Sequence, residues 1–432
     1  MTEMVQHIPA IIRVVIAFFV ILAAIRGRLS LGNAFLLGAL CLGVLFGLDA
    51  RSMAGTLLRS VIYPKTLFLA IVVSLILVLS SSMELAGQMN RLLSRFRGLI
   101  SKPRITLVIF PALIGLLPMP GGAVFSAPMV KELGGRTGLG PDHLSYINYW
   151  FRHIWEYWWP LYPGVLLATS LSGIDLWTFA VSMIPLTLAA FAFGYLPLRN
   201  LHLPAGEGQA GRRPSLVPFL RELSPIALVI AGGLGLGMVF SHFFPESNVA
   251  KESGLIIALC IAIVWVWYDN RLGPVKIRRV LTDPHILSML YMVLAIFAFK
   301  GILEGSQAIT LINDEIARLH VPLTAVVVLL PFFVGAVVGI TVAFVGSTFP
   351  IIISLVVSFD GTSSLMPYIM LAMGCGFLGV MLTPLHLCFM LSNQYFKTGI
   401  TAVYRHMVLP CLCFFLVCLS YFFILRRLFD SL

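Results

Sequence analysis

Apolar runs of about twenty residues, the length that crosses a hydrocarbon core of roughly 30 Å, recur along the whole chain. They fall near 9–25, 31–48, 65–86, 143–172 and 176–197, and again near 224–242, 253–268, 285–305, 366–396 and 402–427. Each reads as a membrane-spanning helix, because a helix satisfies its backbone polar groups within its own segment when no water is present. The first run is followed by Arg26-Gly27-Arg28 and has no basic leader, so it reads as an anchoring span rather than a cleaved signal.

Two further apolar segments are interrupted. The first, 104–134, contains GLLPMPGGAVFSAPM at 115–129; the second, 322–357, contains VGITVAFVGSTFPII at 338–352. Proline removes an amide donor and glycine pays the largest backbone entropy, so neither sequence favours a continuous helix. Irregular backbone at membrane depth is tolerated where protein covers it or where it lines a watery cavity. Both segments are therefore expected to be re-entrant hairpins.

The long polar interval at 199–222 divides the chain into halves of the same order, with a shift of roughly 220 residues. Trp159-Pro160-Leu161-Tyr162 precedes Thr383-Pro384-Leu385-His386 by this shift, Phe125-Ser126-Ala127-Pro128 precedes Ser347-Thr348-Phe349-Pro350, and Glu84 precedes Glu304. The expected fold is all-α and polytopic, with two inverted repeats of five spans plus one hairpin. These are 1–198 with hairpin 104–134, a cytoplasmic linker at 199–222, and 223–432 with hairpin 322–357. An odd number of crossings inverts the second half, the plan of many secondary transporters. With both termini outside, the basic clusters at 26–28, 91–104, 199–221, 271–279 and 397–405 fall on the cytoplasmic side, as the positive-inside rule requires.

Composition narrows the class. The chain of 432 residues is 59% hydrophobic and 11% charged, against roughly 25% charged in soluble domains. Its net charge of +11 is spread between spans rather than gathered on one soluble face, so topology explains it and no nucleic-acid partner is expected. All seven cysteines lie in apolar runs without zinc-ligand spacing, and no HExxH, GxSxG or paired intramembrane aspartates occur. Neither a metal, a cofactor nor an enzymatic activity is expected.

The breaks carry the candidate chemistry. A helix beginning in mid-membrane presents free amides and a positive dipole end, which favour an anion. Candidate binding positions are Pro120, Gly121 and Gly122 at the first tip and Gly346, Ser347 and Thr348 at the second, with Ser126, Thr383 and His386 nearby. Glycines in such segments also serve close helix packing. In NYWFRHIWEYWWPLYPG (148–164), helical spacing sets Arg152 one turn from Glu156 and puts His153, Glu156, Pro160 and Pro163 on one stripe. Two readings stand. Arg152 contacts an anion while Glu156 or His153, with Asn393, serves a coupling ion; or Arg152 and Glu156 are a stabilising pair in the aromatic interfacial belt. Lys300 and Glu304 have the same spacing and the same two readings.

The hairpin signature PMPGGAVFSAP, the five-span units and the TPLH break resemble an integral-membrane permease family related to gluconate permeases. That family lies within the ion-transporter superfamily that also holds citrate, arsenite and divalent-anion transporters. The resemblance implies a scaffold plus a transport domain, a homodimer joined through the scaffold, and elevator-like access driven by a proton or sodium gradient. Sodium-coupled members carry Ser-Asn-Thr at the hairpin tips; this chain has Pro120-Gly121-Gly122 and Gly346-Ser347-Thr348 instead. The expected function is secondary active transport of an organic anion of the carboxylate or sugar-acid type in the inner membrane of a prokaryote. The alternative is a transporter or flippase of a phosphorylated lipid or other amphipathic anion.

Overall fold

The computed structural model describes residues 8–96, 103–119, 121–135, 138–199 and 216–430. Among them the regular structure is helical, with no strand. The helices are α1 (Ala10–Arg26), α2 (Leu31–Leu45), α3 (Ala50–Ile62), α4 (Pro64–Leu85), α5 (Gln88–Phe96), α6 (Pro103–Gly115), α7 (Ala123–Gly135), α8 (Pro141–His153), α9 (Pro163–Ser172) and α10 (Leu176–Gly194). After the 199–222 interval come α11 (Leu216–Phe243), α12 (Ala250–Asp269), α13 (Pro274–Leu281), α14 (Pro284–Gly305), α15 (Ala308–Leu319), α16 (Leu323–Val338), α17 (Thr341–Phe359), α18 (Leu365–Leu382), α19 (Leu387–Phe396) and α20 (Ile400–Asp430).

Eight described helices are long and apolar enough to cross a membrane, nine if the pair α15 and α16, bent by 119° at their junction, forms one crossing. Two expected spans are shorter, α1 with 17 residues and α2 with 15. The expected span 143–172 is two helices, α8 and α9, separated by irregular backbone that includes Pro160 and ends at Pro163, the prolines at which a break is expected. Short amphipathic helices α3, α5, α13 and α15 occupy intervals in which the hydropathy pattern indicated only loops.

Local chemistry explains many of the boundaries. Proline stands in the first turn of α4, α8, α9, α13 and α14, where its missing donor is harmless. Ser30, Asp175 and Asp283 cap α2, α10 and α14 through their side chains. Among the described residues, ten of the twelve with positive φ pair at a nearly constant interval, Gly47 and Arg271, Gly87 and Gln307, Gly121 and Gly339, Gly138 and Gly361, Gly173 and Lys397, while Arg28 and His320 do not. Turns of one handedness thus punctuate the two halves in one order.

Packing separates the helices into two groups. Helices α1–α5 pack with α11–α15, and α6–α10 pack with α16–α20. Contacts between the groups run chiefly through α17 and α9, which touch α14 and α4. Helix α18 lies at the centre of the second group, with nearly every side chain buried. Helix α11 lies at the edge of the first and leaves Val217, Leu220, Met238 and Phe243 exposed, an outward apolar surface suited to lipid.

The cap of α10 also ties the groups together. Asp175 Oδ1 accepts from the amides of Trp177 at 3.1 Å and Thr178 at 3.0 Å, while its other oxygen accepts from Lys251 of α12. Burial pushes this carboxyl up, yet the Lys251 ammonium and the Thr178 bonds outweigh it and hold it below the usual carboxylate range. Asp175→Ala is expected to lower stability by about 1–2 kcal/mol, the worth of an N-cap plus a partly exposed ion pair. Asp175→Asn keeps the cap and loses less than about 1 kcal/mol. A depressed carboxyl stabilises above its unfolded pKa, so the difference between wild type and Asp175→Asn should fade as pH falls below about 4. Thermal unfolding in detergent across pH reads both outcomes.

Candidate functional site

A cavity of about 400 Å³ lies between the two helix groups. Leu31, Leu77, His285, Ser288, Met289 and Met292 line it from the first group, and all its other walls come from the second. Four breaks converge on it: Pro118, Met119 and Gly121 after α6; Glu156 and Tyr162 after α8; Gly339 and Ile340 after α16; Leu385 and His386 after α18. Proline and glycine produce each break, and the freed polar groups find partners around the cavity.

Arg152 occupies the centre and is 3% exposed. It ends α8, where its Nη2 donates to the Met119 carbonyl at 2.7 Å and its Nη1 lies 3.3 Å from both Cys388 Sγ and His153 Nε2. Among the described residues its Nε has no partner. A Cβ on Gly122 would stand 2.2 Å from Nη2, so this glycine gives the guanidinium its place. Gly121, with φ of +69°, turns the chain from α6 into α7. The Gly122 amide, expected to be free for an anion, donates instead to Met119 O at 3.2 Å. Pro120 lies outside the described residues.

Glu156 is 8% exposed, and its Oε1 accepts from Thr341 Oγ1 at the start of α17. The stabilising pair expected between Arg152 and Glu156 is absent, because α8 ends at His153 and the chain turns before Glu156. For the same reason His153, Glu156, Pro160 and Pro163 share no helical stripe. Both charged side chains are enclosed by protein, which also removes the interfacial-belt reading.

His153 and His386 meet beside them. His153 Nδ1 is 2.6 Å from Tyr149 O, His386 Nδ1 is 2.8 Å from Gly339 O, and the two Nε2 atoms face each other at 3.0 Å. Tyr162, at the position equivalent to His386 under the 224-residue shift of WPLY to TPLH, similarly donates to Gly115 O at 2.7 Å.

The second tip differs from expectation. The break before α17 is at Gly339, with φ of +71°, and Ile340. Gly346, Ser347 and Thr348 lie inside α17, where Ser347 and Thr348 hydroxyls donate back to the carbonyls of Ala343 and Phe344, each at 2.8 Å. Glycine alone does not break a helix whose apolar neighbours pack well, and a Cβ on Gly346 would meet Ile296 at 2.7 Å. Close packing of α17 on α14 therefore accounts for this residue.

Ser126 and Asn393 belong to a separate buried polar chain. Ser126 Oγ donates to Asn148 Oδ1 at 2.6 Å, Asn148 Nδ2 donates to Ser392 Oγ at 2.9 Å, and Ser145 Oγ donates to Asn393 Oδ1 at 2.6 Å. This chain joins α7, α8 and α19. Thr383 caps the end of α18 and accepts from the Leu385 amide at 3.3 Å. Lys300 and Glu304 form a partly exposed pair at 3.6 Å, away from the cavity.

Among the described residues, His153, His386 and Cys388 offer donor atoms within 4.8 Å of one another, as do Asp142, His143 and His406 near the start of α8. In the first group Arg152 already donates to Cys388 and lies at the same distance from His153, so a guanidinium stands where a metal dication would need low positive potential. Cys388, Thr341, Met119 and Gly339 were not among the expected site residues. Gly339 alone had a legible signal, since it recurs 218 positions after Gly121.

The all-helical fold, with its apolar helices and a cavity lined by the breaks in several of them, defines a multi-pass membrane protein. The chain belongs to the family described as protein of unknown function (DUF401), which matches residues 10–424. No curated protein matches it.

Removing Arg152 while Glu156 stays leaves a carboxylate without a buried cation nearby. Arg152→Met is expected to destabilise by about 3–5 kcal/mol, and Arg152→Met with Glu156→Gln by clearly less than the sum of the two singles. Additive losses in thermal or denaturant unfolding would show that the two charges do not sense each other.

Proposed function

We propose that the protein is a secondary active transporter of an organic anion, with Arg152 at the substrate site. The observation that carries this reading is a buried guanidinium, incompletely bonded among the described residues, on the wall of a cavity formed by four interrupted helices. Ionisable groups in a membrane interior are costly and mark ion or substrate pathways, and discontinuous helices near mid-membrane form the sites of secondary transporters.

The inverted-repeat reading draws support from the paired positive-φ residues and from the matching order α1–α10 and α11–α20. The elevator reading draws support from the two packing groups. The second group supplies Arg152, His153, Glu156 and His386, while the first faces them with Leu31, Leu77, Met289 and Met292 beside His285 and Ser288. A mostly apolar wall lets a polar site slide past with few hydrogen bonds to lose. In this reading α1–α5 with α11–α15 are the scaffold, and α6–α10 with α16–α20 the moving domain. Kinship with gluconate permeases and the ion-transporter superfamily belongs to the same proposal.

The test is uptake by purified protein in liposomes under imposed proton or sodium gradients. The panel holds gluconate, citrate, succinate and inorganic phosphate, with a short-chain phosphatidic acid as the amphipathic arm. Gradient-driven uptake of a soluble anion, lost in Arg152→Gln, is the expected result. Movement of the lipid alone would favour the amphipathic cargo that the apolar wall also suits, and failure of every anion would end the transporter reading.

A further inference from the structure

We infer that His153 and His386 together form a one-proton site, and that this shared proton, rather than sodium or a proton on Glu156, is the coupling ion. The inference rests on the transporter reading for its role in coupling, but the proton itself follows from geometry.

A carbonyl oxygen can only accept a hydrogen bond. The bonds from His153 Nδ1 to Tyr149 O at 2.6 Å and from His386 Nδ1 to Gly339 O at 2.8 Å therefore place a proton on Nδ1 of each ring. In two neutral rings of that tautomer, both Nε2 atoms carry lone pairs. They face each other at 3.0 Å in a site where His153 is 1% and His386 8% exposed. Two lone pairs at this separation repel, whereas one proton between them makes an N–H···N bond of ordinary length. A second proton would set two N–H groups against each other. The arrangement accepts one proton between rings supplied by different halves of the chain; because the Arg152 guanidinium can only donate toward His153 Nε2, that proton sits on His386 Nε2 and is donated to His153.

The groups facing the pair set its charge response. Arg152 Nη1 lies 3.3 Å from His153 Nε2, and Glu156 Oε2 lies 3.9 Å from it. Cys388 Sγ takes a bond from Arg152, and the Tyr149 ring packs on both imidazoles with centroids at 4.6 and 5.5 Å. Adding the shared proton raises the charge beside Arg152 and the cavity by one unit, which favours an anion there. Each ligand thus favours the other, and linkage makes the effect reciprocal. Glu156, held by the Thr341 hydroxyl, is the carboxyl group that faces the pair.

The test combines two readouts. Nitrogen-15 spectra of histidine-labelled protein in nanodiscs report the tautomer and charge of each ring. In the wild type, both Nδ1 atoms should be protonated and one proton should enter per pair. In His386→Gln and in His153→Gln, the remaining ring should take up its proton only at lower pH than the wild-type pair does. Two independent titrations, an Nε2-protonated tautomer in either ring, or stoichiometric zinc binding that shifts both rings would each overturn the proton pair.

The second readout is the initial uptake rate against pH for whichever anion the panel identifies. On its alkaline limb the wild type should fall about tenfold per pH unit, the slope of a one-proton site. His386→Gln should show less than a twofold change over the same limb. Uptake that follows sodium and ignores both histidines overturns the coupling claim and leaves the transporter reading standing. Absence of all uptake ends the transporter reading, and with it the coupling role, while the spectra still decide whether the proton is there.

Discussion

A guanidinium cannot leave water without partners, and the centre of this protein is organised by that constraint. Burying an unpaired ion costs several kcal/mol even after relaxation. Arg152 meets the demand with a backbone carbonyl at Met119, a thiol at Cys388 and an imidazole at His153. Each partner is available because a helix is interrupted. The break after α6 exposes Met119 O, the break after α18 brings Cys388 to the start of α19, and the end of α8 releases Arg152 itself from a regular helical surface. Gly122 completes the arrangement, since any side chain there would fill the volume of the guanidinium.

The same economy appears in the other break residues. His386 and Tyr162 both donate to a carbonyl near the end of the preceding interrupted segment, so each serves first to satisfy backbone that proline and glycine left open. His386 differs from Tyr162 in carrying a second nitrogen, and that nitrogen reaches His153. A structural hydrogen bond thereby becomes the fixed end of a titratable pair. This machinery faces a mostly apolar wall from α2, α4 and α14, and the bonds described above lie within one helix group.

Much of this was legible in the chain. Hydropathy located the apolar runs, and proline with glycine marked breaks near 118–122, 160–163 and 384. Those signals are local, and membrane burial amplifies them because an unsatisfied amide in lipid is so unfavourable. The short helices α3, α5, α13 and α15 escaped notice because they are amphipathic and too short for a span, so hydropathy averaging blurred them into loops. The second tip lies at Gly339 and Ile340 rather than at the glycine that composition favours, for a related reason. Gly346-Ser347-Thr348 has the composition of a turn, but Ile296 fills the notch at Gly346 and both hydroxyls fold back onto the helix, so packing overrides propensity.

By itself the sequence determined that the chain carries the apolar runs of a multi-pass membrane protein and that helices break at named prolines and glycines. These follow from composition and spacing within a few turns. The tertiary structure decided which groups answer one another: Arg152 with Met119 and Cys388, Glu156 with Thr341, and His153 with His386. The last three of these contacts, apart from Met119, join residues 185 to 236 positions apart. No local periodicity encodes such distances. They arise because two sets of broken helices pack around one cavity, and the cost of burying charge selects the partners that lie within reach there.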